Sequence, residues 1–189
     1  MARAREHDED AVLDAARAVV LGHGVRATTI AAISAASGAP SGSLYHAFGS
    51  RHGVLAAVWR RATRRGQQRW LAAGEEHPED PVEAGVAMAL AGLGFARESP
   101  EDVRVPTVLR PADFANVTID LEVHNKPIRD GVRTLAARIG GPDAAMRVHL
   151  ATLELPYGAL QMRLEAGAGL PASLDRHIAA AARVVLEGR

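Results

Sequence analysis

The chain has 189 residues, no cysteine, and 22 basic residues balanced by 22 acidic ones. That length can bury a real core in one mid-sized domain or two small ones, and the missing thiols exclude disulfides, thiolate metal sites and cysteine nucleophiles. No run reaches the roughly 18 consecutive apolar residues a membrane span needs, and no apolar signal core follows the charged stretch Met1 to Asp10, so a cytoplasmic location is expected.

The 38 alanines against seven aromatics predict an all-α protein, since alanine is the best helix former and strands favour aromatic and β-branched residues. The first helical face runs from about Asp8 to Gly22, with Val12, Leu13, Ala16, Val19 and Val20 on one side, and Gly22 and Gly24 end it. Thr29 is placed to cap a second, short helix carrying Ile30, Ile33 and Ala36. Ser37 to Pro40 break that helix, and a third begins at Pro40 with Leu44 and Phe48 on one side. Gly49 and Ser50 stop the third and open a long fourth helix from Arg51 to about Glu75, after which His77 to Pro81 read as a linker. Further helices are expected at roughly 82–97, 101–109, 112–124, 127–139, 143–166 and 172–187, with Pro106 and Pro156 kinking or splitting theirs.

Neutral overall charge hides an asymmetry. Residues 1–65 hold nine arginines and five acids, a net +4, and the remainder carries −4. Such a split is one sign of a polyanion-facing part, although arginines 60, 61, 64 and 65 also suit a solvated helix face.

The informative stretch is Thr29 to Phe48, which reads as helix, glycine turn, helix. Two short helices crossing steeply need a small residue at the turn, here Gly38, and the second must expose one face to enter a DNA major groove. Ser41, Gly42 and Ser43 are small and polar at its start, where base edges and phosphates would be met. Tyr45 and His46 follow on its outer side. Arg51 opens the next helix, where a cation is disfavoured by the helix dipole, so a bound anion is its expected partner.

With Val12 to Ala16, Gly24, Thr28-Thr29-Ile30, Ile33, Gly38-Ala39, Ser41 to Tyr45, Phe48, Ser50-Arg51 and Leu55, residues 8–60 resemble the N-terminal domain of the TetR family of transcriptional regulators. The resemblance implies a DNA-contacting set of Thr28, Thr29, Ser41, Gly42, Ser43, Tyr45, His46, Ser50 and Arg51. Within it Thr29, Tyr45 and Arg51 face the phosphate backbone, and Ser41, Gly42 and Ser43 read bases. Ala47 stands where many members carry a phosphate-touching histidine or arginine, and Ala39 replaces a common valine in the turn. His46 is expected to take over part of the role lost at position 47.

Enzyme signatures are missing: there is no Walker-type loop, no dinucleotide fingerprint and no His-Glu-x-x-His. None of the eight histidines pairs with another at i and i+4 on a predicted helix, so no cofactor, metal or catalytic set is assigned. The second half resembles the family in architecture only. Residues 1–60 are therefore expected to form the DNA-binding domain and 61–189 a helical ligand-binding and dimerisation domain. The resemblance implies pairing of the last two helices with a second subunit, and the stripe Leu174, Ile178, Ala181, Ala182 and Val185 fits that role. Larger or polar residues on the middle helices, Phe95, Leu109, Arg110, Phe114, His124, His149, Tyr157, Gln161 and Met162, are candidates for an effector pocket. The expected partners are a palindromic duplex operator, a second copy of the chain and a small molecule, with no membrane. The alternatives are a helical enzyme or metal protein that contains a helix-turn-helix, and a helical module that uses the pair to bind protein.

Overall fold

The computed structural model describes residues 2–114 and 116–188, with side chains from residue 9 onward, and no strand occurs among them. Ten α-helices follow in order: α1 (Ala2–Ala27), α2 (Ile30–Ser37), α3 (Ser41–Phe48), α4 (Arg51–Glu75), α5 (Pro81–Glu98), α6 (Pro100–Val108), α7 (Leu121–Ile139), α8 (Ala144–His149), α9 (Leu155–Glu165) and α10 (Ala172–Glu187). They form two compact units, and the boundary between them falls inside α4, after Arg64.

The first unit takes the chain through Arg64 and also Glu101–Asp120. A single division after residue 60 therefore misses the strip of α6 and its following loop. The reason is hydrophobic: Val105, Leu109 and Phe114 are buried in one core with Val12, Leu13, Ala16 and Val20 of α1, Ile30 and Ile33 of α2, Leu44 of α3, and Val54, Leu55, Val58 and Trp59 of α4. The Phe114 ring lies 5.9 Å from that of Trp59, tilted by 50°. Arg17 of α1 donates to the buried carboxylate of Asp102 on α6 and also meets Asp14 and Glu101. Burial alone would lower the Arg17 pKa, but the Asp102 hydrogen bond and the surrounding carboxylates outweigh it and hold the guanidinium above its ordinary value.

Three predicted helix boundaries change. α1 runs on to Ala27, interrupted at Gly24, whose φ of 81° only glycine adopts without strain. The helix expected at 112–124 is replaced by a 3₁₀ turn at Pro111–Phe114 and non-helical chain to Asp120. There the Asp113 carboxylate accepts the Arg110 N–H at 2.8 Å, and β-branched Val117 and Ile119 turn onto the core, so local capture and packing override helix periodicity. α7 then begins at Leu121 and carries Pro127 inside it instead of breaking there. Pro106 lies in the last turn of α6 and leaves it whole.

The second unit comprises Arg65–Pro100 and Leu121–Arg189, with α10 laid along α5, and α7 against α8. Asp80 caps α5 by accepting the N–H groups of Val82 and Glu83 at 2.9 and 3.0 Å. The rod predicted at 143–166 is α8, a π-helical turn at Leu150–Glu154, and α9. Pro156 has no N–H for the Thr152 carbonyl four residues back, and the indole N–H of buried Trp70 donates to that carbonyl at 3.2 Å instead. The expected kink at Pro156 is thus a widened turn with a side chain standing in for the missing donor.

Candidate nucleic-acid interface

The α2 to α3 corner is built by short side chains acting on the backbone. Thr29 accepts the Ala32 N–H at 3.1 Å through its hydroxyl, capping α2. Gly38 takes φ 73° at the other end, and its N–H donates to the Ser34 carbonyl. The Ser34 hydroxyl donates to the Ala39 carbonyl at 2.7 Å, and the Ser37 hydroxyl to that of Ile33 at 2.8 Å, closing the turn. Gly49, also at φ 73°, ends α3, and the Ser50 hydroxyl accepts the Gly53 N–H at 3.1 Å to start α4.

On α3 only Leu44 is fully buried, whereas Ser41, Gly42, Ser43, Tyr45, His46 and Ala47 are exposed. Tyr45 is 54% exposed, so its ring lies on the outer side of the helix. No side chain caps α3, so its first N–H groups point outward from a positive helix end. Such a terminus suits a phosphate.

Two residues of the expected contact set are placed otherwise. Thr28 is wholly buried, its hydroxyl donating to the Gly24 carbonyl at 2.9 Å, so it holds the end of α1 and cannot meet DNA. Arg51 turns its Nε to the Thr28 carbonyl at 2.6 Å and a terminal nitrogen to that of Val25. Two carbonyl oxygens thus occupy the role given to a bound anion, and they answer the same cation near the same helix start. Sequence reasoning missed this lock because its carbonyl partners are 23 and 26 residues away. The positive excess of the N-terminal part is also reduced by internal use: Arg61 holds Asp10 and Asp14 at 2.9 and 2.5 Å, and Arg17 holds Asp102.

The effector candidates do not converge. Leu109 and Phe114 belong to the core of the first unit, and Arg110 lies on that unit's surface. In the second unit His124 is buried, Phe95 lines a shallow groove of about 310 Å³, His149 pairs with Glu154 at 3.0 Å, and the Gln161 amide donates to Glu165 at 3.0 Å. Tyr157 and Met162 are exposed, Met162 by 73%. A separate cleft of about 630 Å³ is lined by Leu71, Gly74, Met88, Pro127, Gly131 and Leu135, among others, and contains none of the nine. The α10 stripe is also divided: Ile178 and Ala182 are buried within the chain's own second unit, Leu174 and Val185 are half-buried, and Ala181 is exposed. Among the described residues, no three His, Asp or Glu side chains gather as a metal site, and no helix is long and apolar enough to cross a membrane.

An outward short helix held against a partner by a glycine corner, inside an all-helical chain, defines the class of helix-turn-helix DNA-binding regulators. Residues 12–58 match the family model described as bacterial regulatory proteins, tetR family. The N-terminal domain is accordingly a TetR-family DNA-binding domain, that of a transcription regulator. Solved structures share the fold over nearly the whole chain. A TetR family transcription regulator from Marinobacter aquaeolei VT8 is 16% identical, with 98% of each chain covered and a TM-score of 0.79. A TetR-like transcriptional regulator from Rhodococcus sp. RHA1 is 19% identical, covering 95% of this chain and 93% of its own, at 0.67. The regulator PfmR from Thermus thermophilus is 20% identical, covering 93% and 96%, at 0.58. Among curated proteins the sequence finds no match.

Proposed function

We propose that the chain is a cytoplasmic, non-enzymatic repressor that grips a palindromic operator as a homodimer and releases it when a small molecule binds the second unit. The observation that carries the reading is the face of α3: one buried leucine anchors a helix on which Ser41, Gly42, Ser43, Tyr45 and His46 are all exposed. Thr29, Ser43 and Tyr45 are assigned to phosphates, and the Gly42 side of α3 to the base edges. Reading a two-fold site needs two copies. Because Ile178 and Ala182 of the α10 stripe are buried within the chain, the surface that suits a second copy is that of the exposed apolar residues Tyr157 and Met162 on α9 and Val184 on α10. Release follows from population shift: an effector that binds more tightly to the form whose two α3 helices are wrongly spaced draws the protein off DNA. The apolar cleft around Leu71, Met88 and Leu135 is the candidate effector site.

Fluorescence anisotropy with the duplex upstream of the protein's own coding region tests this. Tight binding that weakens steeply with salt, at two chains per duplex, is expected. Equal, weak affinity for that duplex and for scrambled DNA would refute the reading.

A further inference from the structure

Helix geometry separates the roles of the exposed residues on α3. With Leu44 buried and placed at 0°, the 100° step per residue puts Phe48 at about 40° and Ser41 at about 60°, on the anchored side. Tyr45 falls at about 100°, Gly42 at about 160°, His46 at about 200° and Ser43 at about 260°. The centre of the outward arc is therefore shared by Gly42 and His46, with Tyr45 and Ser43 on its flanks. In a groove the centre of a recognition helix faces the base edges and the flanks face the two phosphate walls. Gly42 adds no side chain, so the helix can approach closely one turn before His46. The ring at His46 is exposed, and on the side of Ser43 and Ala47 it borders an open groove of about 660 Å³ whose other wall is Glu9 and Val12 of α1.

The chemistry on that arc is narrow. No Arg, Lys, Asn or Gln occurs in Ser41–Phe48, so the side chains that make two-pronged contacts with purines are missing from α3. His46 is the one side chain on the centre line with a nitrogen donor. A ring N–H meets two adjacent acceptors, N7 and O6, only on guanine, because adenine sets an amino donor beside its N7.

Resting on the regulator reading above, we propose that His46 is the side chain that specifies a guanine in each operator half-site, and not a phosphate contact replacing the one lost at Ala47. Its effect is confined to one base pair per half-site, while the flanking hydroxyls hold the backbone.

The test selects bound sequences from a pool of random duplexes with the wild-type chain, His46→Ala and His46→Gln, each checked for unchanged helix content. The wild type is expected to select a G·C pair at one position of each half-site. His46→Ala becomes indifferent there, by about tenfold in relative affinity, and keeps its other preferences, while His46→Gln shifts that position towards A·T. Replacing the selected guanine by 7-deazaguanine, which lacks the N7 acceptor, weakens the wild type about tenfold and leaves His46→Ala unchanged. If His46→Ala keeps the same base preferences and binds every sequence more weakly with a shallower salt slope, His46 contacts a phosphate and the proposal is overturned. Equal sensitivity of both proteins to 7-deazaguanine overturns it too. A wild-type chain that selects no sequence overturns the proposal together with the reading beneath it.

Discussion

Arg51 shows how one side chain can be given the right place and the wrong partner. Its position at the start of α4 follows from the sequence, but its two carbonyl acceptors lie at the end of α1 and beside α2. Hydrogen bonds from a charged donor contribute more than neutral ones, and without Arg51 the Thr28 carbonyl would lose that donor while the Val25 carbonyl would keep the Thr28 N–H at 3.2 Å. Arg51→Met is expected to destabilise the first unit by about 2 kcal/mol, read from urea unfolding, with Arg51→Lys recovering part of it. Unchanged stability with a reduced salt slope of DNA binding would instead mark Arg51 as a phosphate contact. Trp70 acts similarly in the second unit, where its indole supplies the donor that Pro156 lacks. Trp70→Phe keeps most of the ring but loses that bond, and a loss of about 1 kcal/mol in the same measurement is expected.

Among the elements, the junction of α3 and α4 depends on Gly53. A Cβ there would lie 1.8 Å from the Phe48 carbonyl oxygen, a backbone atom that cannot swing aside. Gly53→Ala should therefore displace α3 from α4, lowering stability by about 3 kcal/mol or more and abolishing specific DNA binding. Gly92→Ala is the matched comparison. It sits inside α5 with nothing within 4 Å of the added carbon, so it is expected to stabilise by up to about 1 kcal/mol through helix propensity. Thermal melts of the two variants moving in the same direction would contradict this account. Elements whose signals are local were legible in the sequence: the Thr29 cap, the Gly38 corner, the Gly49-Ser50 junction, the long α4 and the bounds of α10. Elements decided by remote partners were not. The loop before α7 follows the core that Val117 and Ile119 find, and the π turn before Pro156 leans on a tryptophan 82 residues away.

For the whole molecule, the second unit was the least legible part. Periodicity along α10 located a packed face correctly as apolar, but a stripe that meets α5 has the same spacing as one that meets another chain. Exposure separates them: Met162 and Val184 remain open after the chain has folded. Replacing both by Glu is expected to leave the helices intact and to give monomers in sedimentation equilibrium. Affinity for the palindromic duplex should then fall by about a hundredfold or more as the linkage between two half-sites is lost. Persistence of dimers in that variant would place the subunit contact elsewhere. The effector candidates scattered for a related reason, since residue size and polarity say nothing about which helix faces converge.

The return of Glu101–Asp120 to the first unit bears on any attempt to transplant its DNA-reading head. A fragment ending near Arg64 would strip Val105, Leu109 and Phe114 from beside Trp59 and leave Arg17 without Asp102. A chimaera that exchanges heads between relatives must carry both strips of chain, so two junctions beyond the α4 cut have to be matched, and a graft of the N-terminal piece alone is expected to be insoluble or molten.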